Sequence, residues 1–413
     1  MTDPVTLGAD PPPPPGEPPP PPDGPPPPPD GPPPAGAQTV ARYDGGMAYL
    51  YYIIFVNLLL TIATLGLYRF WAKTRLRRFL WAHASIAGDR LEYAGTGSEL
   101  LRGFLIVLFP ILLPLFLVLG ISGLVVEGFA PDWSWVIEVI RPWLLLFLIG
   151  IALYRARYYR LTRTRWRGIR GWQGGSAMRY AMVLTCGYIV TAFTAGLALP
   201  WIRVWLFRYK MNNTWLGDRQ FSFSGSSGSV YPHFFAAWGM VFLIPIAVFV
   251  VIGIAVVIGN VADSITPKSF ITTIPTAPEF DFDFEDFEDL DLPAWAGGTI
   301  AAVIGVVFLG GLFAWQFYRA AEMRLFARAT RLDRLAFALD LSGFALFRFS
   351  LVNFLIILLT FGLGIPWVLH RTARFYAGRL RTVGAVDGRG VGQNRFAGPD
   401  TGEGLADAFD VGF

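Results

Sequence analysis

TLGLYRFWAKTRLRRF, Thr64–Phe79, is the stretch whose reading decides the fold. It recurs without a gap as TAGLALPWIRVWLFRY, Thr194–Tyr209, and as TFGLGIPWVLHRTARF, Thr360–Phe375. Thr64, Gly66, Leu67 and Trp71 correspond to Thr194, Gly196, Leu197 and Trp201, and to Thr360, Gly362, Leu363 and Trp367. Each copy closes an apolar run and opens a basic one. Self-similarity at fixed spacing constrains architecture before any local assignment is made.

The composition is that of a membrane protein. Of 413 residues, 54% are hydrophobic and only 15% charged, against about 25% charged in an ordinary soluble domain. One cysteine, Cys186, excludes a disulfide framework. Residues 1–38 hold 19 of the 32 prolines and read as an extended polyproline tail. They lack the basic start and apolar stretch of a secretory signal.

Seven apolar segments follow, at about Ala48–Tyr68, Leu100–Val125, Trp133–Tyr154, Met178–Pro200, Phe234–Asn260, Trp295–Tyr318 and Ala345–Val368. The segments Arg69–Arg90, Tyr154–Arg170, Arg203–Arg219, Arg319–Arg334 and Arg371–Arg381 are basic and predict a cytoplasmic location. Val126–Asp132 has no Lys or Arg, and Val261–Ala294 sets one lysine against nine acids, so both predict outer loops. A plain zigzag of seven spans conflicts with these charges, because the second and third motif copies are basic on both flanks. The expected resolution is that motif segments break at Thr-x-Gly-Leu and return on the side they entered. Broken backbone at membrane depth needs cover from protein or a wet cavity.

Four segments, Gly88–Gly97, Trp166–Ser176, Gly217–Ser227 and Leu332–Gly343, alternate apolar and polar residues and end on Gly with Ser or Thr, as short strands do. The expected fold is therefore a mainly α, polytopic membrane protein built of tandem repeats. Each repeat is a motif helix, a short cytoplasmic strand and a transmembrane hairpin, and the strands meet in a small four-stranded sheet. The expected organisation is a disordered polyproline tail (1–45), block one (46–175), block two (176–343) with an acidic outer loop (261–294), a partial third block (344–384) and a flexible tail (385–413).

Chemistry is sparse. The three histidines lack ligand spacing, the acidic run Glu279–Leu292 is no EF-hand, and phosphate loops and nucleophile elbows are missing. No catalytic residue, metal or cofactor is expected, nor an enzyme, nor nucleic-acid binding. Two residue sets remain. Asn57, Thr64, Gly66, Thr194, Gly196, Asn353, Thr360 and Gly362 sit in or beside broken apolar runs and are candidates for packing or for lining a cavity. Arg75, Arg77, Arg78, Arg163, Arg165 and Arg167 are candidates for holding anionic phospholipid at the cytoplasmic leaflet.

The run VNLLLTIATLGLYRFWAKTRLRRFLWAHASIAGDRLEYAGTGSELLRGF, Val56–Phe104, resembles the YjgN-like family of bacterial inner-membrane proteins. TRWRGIR (Thr164–Arg170) and GLALPW (Gly196–Trp201) are similar to later signatures of that family. The resemblance implies a multi-pass bacterial inner-membrane protein of unknown biochemical function, and supplies no catalytic residues. Two readings of function stand: a repeat-built transporter or channel-like protein, and a non-transporting scaffold that engages anionic lipid. Both put the termini in the cytoplasm, with the bilayer as the partner.

Overall fold

The computed structural model describes residues 38–129, 134–243, 294–333, 335–383 and 391–392, with positions 246, 250 and 253–254. The polyproline run, the acidic Glu279–Leu292 stretch and nearly all of the C-terminal tail lie outside the described residues.

Eleven short strands form one antiparallel sheet. They are β1 (Gln38–Thr39), β2 (Ala41–Tyr43), β3 (Ala84–Ile86), β4 (Asp89–Tyr93), β5 (Thr164–Trp166), β6 (Ile169–Gln173), β7 (Thr214–Leu216), β8 (Arg219–Phe223), β9 (Thr330–Leu332), β10 (Leu335–Leu339) and β11 (Leu380–Val383). The order runs β1-β11-β10-β9-β8-β7-β6-β5-β4-β3-β2. Its two ends, β1 and β2, are separated in the chain only by Val40, so this one segment pairs with β11 on one side and β3 on the other. The sheet closes on itself and leaves no open edge, which removes the hazard of unpaired strand backbone.

One rim of the ring carries tight turns. Ala87, Arg167 and Asp333 take φ of 51–53° there, and Gly88 and Gly168 follow the first two at 87° and 76°. Positive φ at successive turn residues suits two-residue hairpins. The other rim carries the helices. Backbone bonds Asp44 N–H to His83 O (3.1 Å), Ala94 to Arg163 (2.8 Å), Gly174 to Asn213 (2.8 Å), Ser224 to Ala329 (3.1 Å) and Asp340 to Arg379 (3.0 Å) continue the strand pairing there. Every helical segment is thus an excursion that leaves one strand and returns to its hydrogen-bonded neighbour.

Three excursions, residues 44–83, 174–213 and 340–379, span 40 residues each and contain the motif. They are helical hairpins: α1 (Met47–Ala63) with α2 (Arg69–Ala82), α6 (Ala177–Phe193) with α7 (Leu199–Asn212), and α10 (Gly343–Leu359) with α11 (Ile365–Ala377). Between the first two run α3 (Gly97–Val107), a π-turn (Leu108–Leu112) and α4 (Leu113–Phe129), then α5 (Ser134–Arg163). Pro110 lies within the π-turn, where its missing N–H breaks the α-helical ladder. The fourth excursion contains α8 (Tyr231–Trp238) and α9 (Ala294–Arg328).

This architecture corrects the expected fold class. The four expected strands, now β4, β6, β8 and β10, do not form a four-stranded sheet among themselves. Each pairs with a three-residue strand directly after a basic helix, too short for its alternation to register. Residues 38–43, read as tail, close the ring. Among the described residues two helical stretches are long and apolar enough to cross a membrane, Gly97–Ser122 and Trp135–Arg163. The first helices of the motif hairpins, 17 residues each, reach only about 25 Å at 1.5 Å per residue, short of a core of about 30 Å. The chain is therefore no tandem series of spanning blocks with a sheet appended, because the closed sheet is the element that joins all the segments.

One face of the sheet packs on the helices. Tyr93, Trp166, Gln173, Thr214, Phe223, Thr330 and Thr382 are buried on it. Phe223 meets Phe207 of α7 and Phe326 of α9, which stack at 3.9 Å. The opposite face carries Arg42, Arg90, Arg165, Arg170, Arg331 and Arg381 at cross-strand positions.

Candidate functional site

The motif turn is built the same way three times. Thr64 Oγ1 donates to Leu60 O (2.7 Å) and accepts from Tyr68 N–H (2.9 Å). Thr194 bridges Val190 O (2.8 Å) and Ala198 N–H (3.2 Å), and Thr360 bridges Ile356 O (2.6 Å) and Gly364 N–H (2.8 Å). One hydroxyl so caps the end of one helix and the start of the next. Leu65, Ala195 and Phe361 follow with φ of 49–50°, then Gly66, Gly196 and Gly362 with φ of 87–92°. Two successive left-handed residues reverse the chain, and glycine accepts the second without a Cβ penalty.

The first and third tips are apolar and bare, whereas at the second Trp238 Nε1 donates to Ala195 O (2.7 Å) and Tyr231 Oη to Leu197 O (3.2 Å). Leu65 is 96% exposed, Phe361 97% and Phe193 88%. The two asparagines sit at the other level, between the helices of their own hairpins. Asn57 Nδ2 lies 3.4 Å from Ala72 O, and Asn353 Oδ1 accepts from Arg371 (2.9 Å). In the second hairpin Gly187 takes that place, and a Cβ there would lie 2.1 Å from Ile202 Cδ1. Threonines, glycines and asparagines of the candidate set therefore serve backbone caps, turns and helix contacts. They do not converge on one space, since each lies within its own hairpin.

The arginine candidates separate. Arg77 is buried and donates to Tyr93 Oη (3.1 Å). Arg78 donates to Gly95 O (2.7 Å), as Arg208 does to Gly225 O (2.6 Å) and Arg324 to Leu341 O (2.6 Å), each tying a helix to the segment beyond the next strand pair. Arg163 pairs with Glu99 (3.1 Å) and Arg167 with Asp89. Arg75 is half-buried on α2, and Arg165 is half-buried on β5 with its Nε unbonded.

A charged cluster went unread in the sequence. Glu322 of α9, 1% exposed, accepts from Arg203 Nε (2.7 Å) and Arg319 (3.1 Å). Tyr318 Oη lies 3.4 Å away. Arg157 donates to Gln173 Oε1 and Thr214 Oγ1, both at 2.8 Å, and reaches Lys210 O. The signal was present: Glu322 is the one acid between Leu292 and Asp333. Burial, then the charges of Arg157 and Arg203, push the Lys210 ammonium down to about 8. The unfolded chain keeps that proton to about 10.4, so from about 8 upward this group makes the unfolded state bind more protons, and its contribution to stability rises with pH. Thermal unfolding in detergent at pH 7, 8 and 9 should show Tm climbing, and Lys210→Met should flatten that climb. A climb equally steep in the variant would place the titration elsewhere.

A cavity of about 430 Å³ opens at the foot of the second hairpin. It is lined by Gly175, Ser176, Arg179, Trp205, Arg208, Tyr209, Asn212 and Asn213. Among the described residues there is no group of three or more His, Cys, Asp or Glu arranged to hold a metal.

Comparison with known proteins agrees with the resemblance drawn from Val56–Phe104. Two curated relatives, both named inner membrane protein YjgN, come from Escherichia coli O157:H7 and Escherichia coli strain K12. Each is 40% identical over 57 residues, which is 14% of this chain and 14% of the relative. The match therefore spans about a seventh of each curated relative. No solved structure matches the chain. The family described as bacterial protein of unknown function (DUF898) matches residues 38–408, a span that starts with the first strand of the ring and takes in every described element, and the chain belongs to that family.

Proposed function

We propose that this chain is a bacterial inner-membrane scaffold that holds a closed β-ring against the cytoplasmic leaflet and engages anionic phospholipid. Three motif hairpins enter the bilayer and return, while α3–α4 and α5 cross it and come back. The ring, and with it both ends of the described core, lies on the cytoplasmic side. The observation that carries this reading is that both feet of each motif hairpin stand on paired strands while the apolar tips of the first and third are bare. A chain whose feet are hydrogen-bonded together cannot leave them on opposite sides of a membrane. The basic segments at those feet support the orientation, as does the printed name of the curated relatives.

A transporter needs a hydrated, polar path. Here Thr64, Thr194 and Thr360 spend their hydroxyls on helix caps, and Asn353 is held by Arg371, which favours the scaffold. In proteoliposomes we expect no flux above empty vesicles across a broad solute panel. Flux that Thr194→Val abolishes would overturn the scaffold reading. Topology has its own test. With Cys186→Ala as background, cysteines placed at Ser176 and Ser226 should both label only from the cytoplasmic side. Outside-only labelling at Ser226 would sink the return of the second hairpin.

A further inference from the structure

We infer that the cavity at the foot of the second hairpin binds the phosphate of an anionic phospholipid, with an acyl chain lying along the hairpin above it. The lining holds two arginines and no carboxylate. Arg179 forms no ion pair or hydrogen bond through its side chain among the described residues, and Arg208 uses only Nη2, toward Gly225 O. Asn212 accepts from Phe223 N–H through Oδ1 (2.8 Å), which leaves its amide N–H₂ to donate. Guanidinium and amide donors without an opposing acid form a phosphate site.

The polar foot continues into an apolar stripe. On α6, Arg179 is followed at helical spacing by Met182 (53% exposed), Cys186, Val190 (45%) and Phe193. On α7, Arg208 is preceded by Trp205 and then by Trp201, 49% exposed. Residues spaced three and four apart share a helix face. From Met182 to Phe193 the stripe rises about 16 Å at 1.5 Å per residue, close to one leaflet of a core of about 30 Å. A polar foot below an apolar stripe one leaflet tall fits an amphiphile better than a free anion.

The site belongs to the second hairpin. Tyr49 and Ala345 occupy the positions of Arg179 in the other copies, and Ala82 and Gly378 those of Asn212. Arg78 and Arg374 match Arg208, so the shared arginine belongs to the common frame and the other donors to this site. A charge rule for cytoplasmic segments alone would not concentrate these donors in one hairpin.

The inference rests on the membrane reading above, which the labelling at Ser176 and Ser226 tests on its own. For this site, native mass spectrometry of the full chain in detergent would titrate phosphatidylglycerol, phosphatidylcholine and inorganic phosphate. Phosphatidylglycerol should bind in preference to phosphatidylcholine. Arg179→Gln should weaken it about tenfold, the loss of one charge-assisted hydrogen bond, with Arg179→Lys falling between. Arg42→Gln, the same change of charge on the sheet, should leave binding unchanged. Equal losses in Arg179→Gln and Arg42→Gln would mean diffuse attraction and overturn the site, as would equal affinity for both lipids. Inorganic phosphate binding that depends on Arg179 and matches the lipid in affinity would assign the cavity to soluble phosphate and overturn the lipid.

Discussion

Leu65→Asp combined with Phe361→Asp should destabilise the protein strongly in lipid nanodiscs, by about 2–3 kcal/mol per site. Both side chains project almost wholly free of the protein, at 96% and 97% exposure. In water such positions tolerate charge, with effects within about 0.5 kcal/mol. In hydrocarbon an aspartate is unfavourable by about 2.5–3.5 kcal/mol on insertion scales, whereas leucine and phenylalanine are mildly favourable. The outcome therefore reports which solvent surrounds the tips. Gln220→Asp on the exposed sheet face provides the control. Unchanged thermal unfolding of the double variant in nanodiscs would place the tips in water and end the re-entrant reading.

Glu322→Leu should lower stability by on the order of 3 kcal/mol, because it leaves Arg203 and Arg319 facing one another without their shared carboxylate. The guanidinium side chains are 25% and 35% exposed, so water screens part of the cost. Glu322→Gln keeps the shape and an acceptor but removes the charge, and should fall between. The cluster joins α7 to α9, helices of two different excursions. A Tm within a degree of wild type for Glu322→Leu would show that the cluster contributes little.

Particular elements show what could be read from the chain. The break after Thr64, Thr194 and Thr360 was legible because glycine beside a helix-capping hydroxyl is a local signal. Basic residues on both flanks of the second and third copies pointed to a reversal of the chain there, and both copies fold as helical hairpins. β4, β6, β8 and β10 were visible as alternation over five residues. β3, β5, β7 and β9, at three residues each, carry too little pattern to tell from the end of a helix. The pairing of residues 38–43 with both Leu380–Val383 and Ala84–Ile86 was hidden. That contact depends on chain closure across more than 300 residues, which leaves no periodicity behind.

By itself the sequence determined the membrane character, the three turns and the family. Each follows from local composition or short spacing, where a residue's own chemistry decides. Only the tertiary structure decided that the strands form one closed ring, that every helical segment returns to its neighbour, and that Glu322 joins Arg203. It also gathered Arg179, Arg208 and Asn212 around one cavity. Those outcomes depend on which distant groups hydrogen-bond or pair once the chain is compact, and a buried carboxylate or an unpaired strand edge selects its partner only in three dimensions.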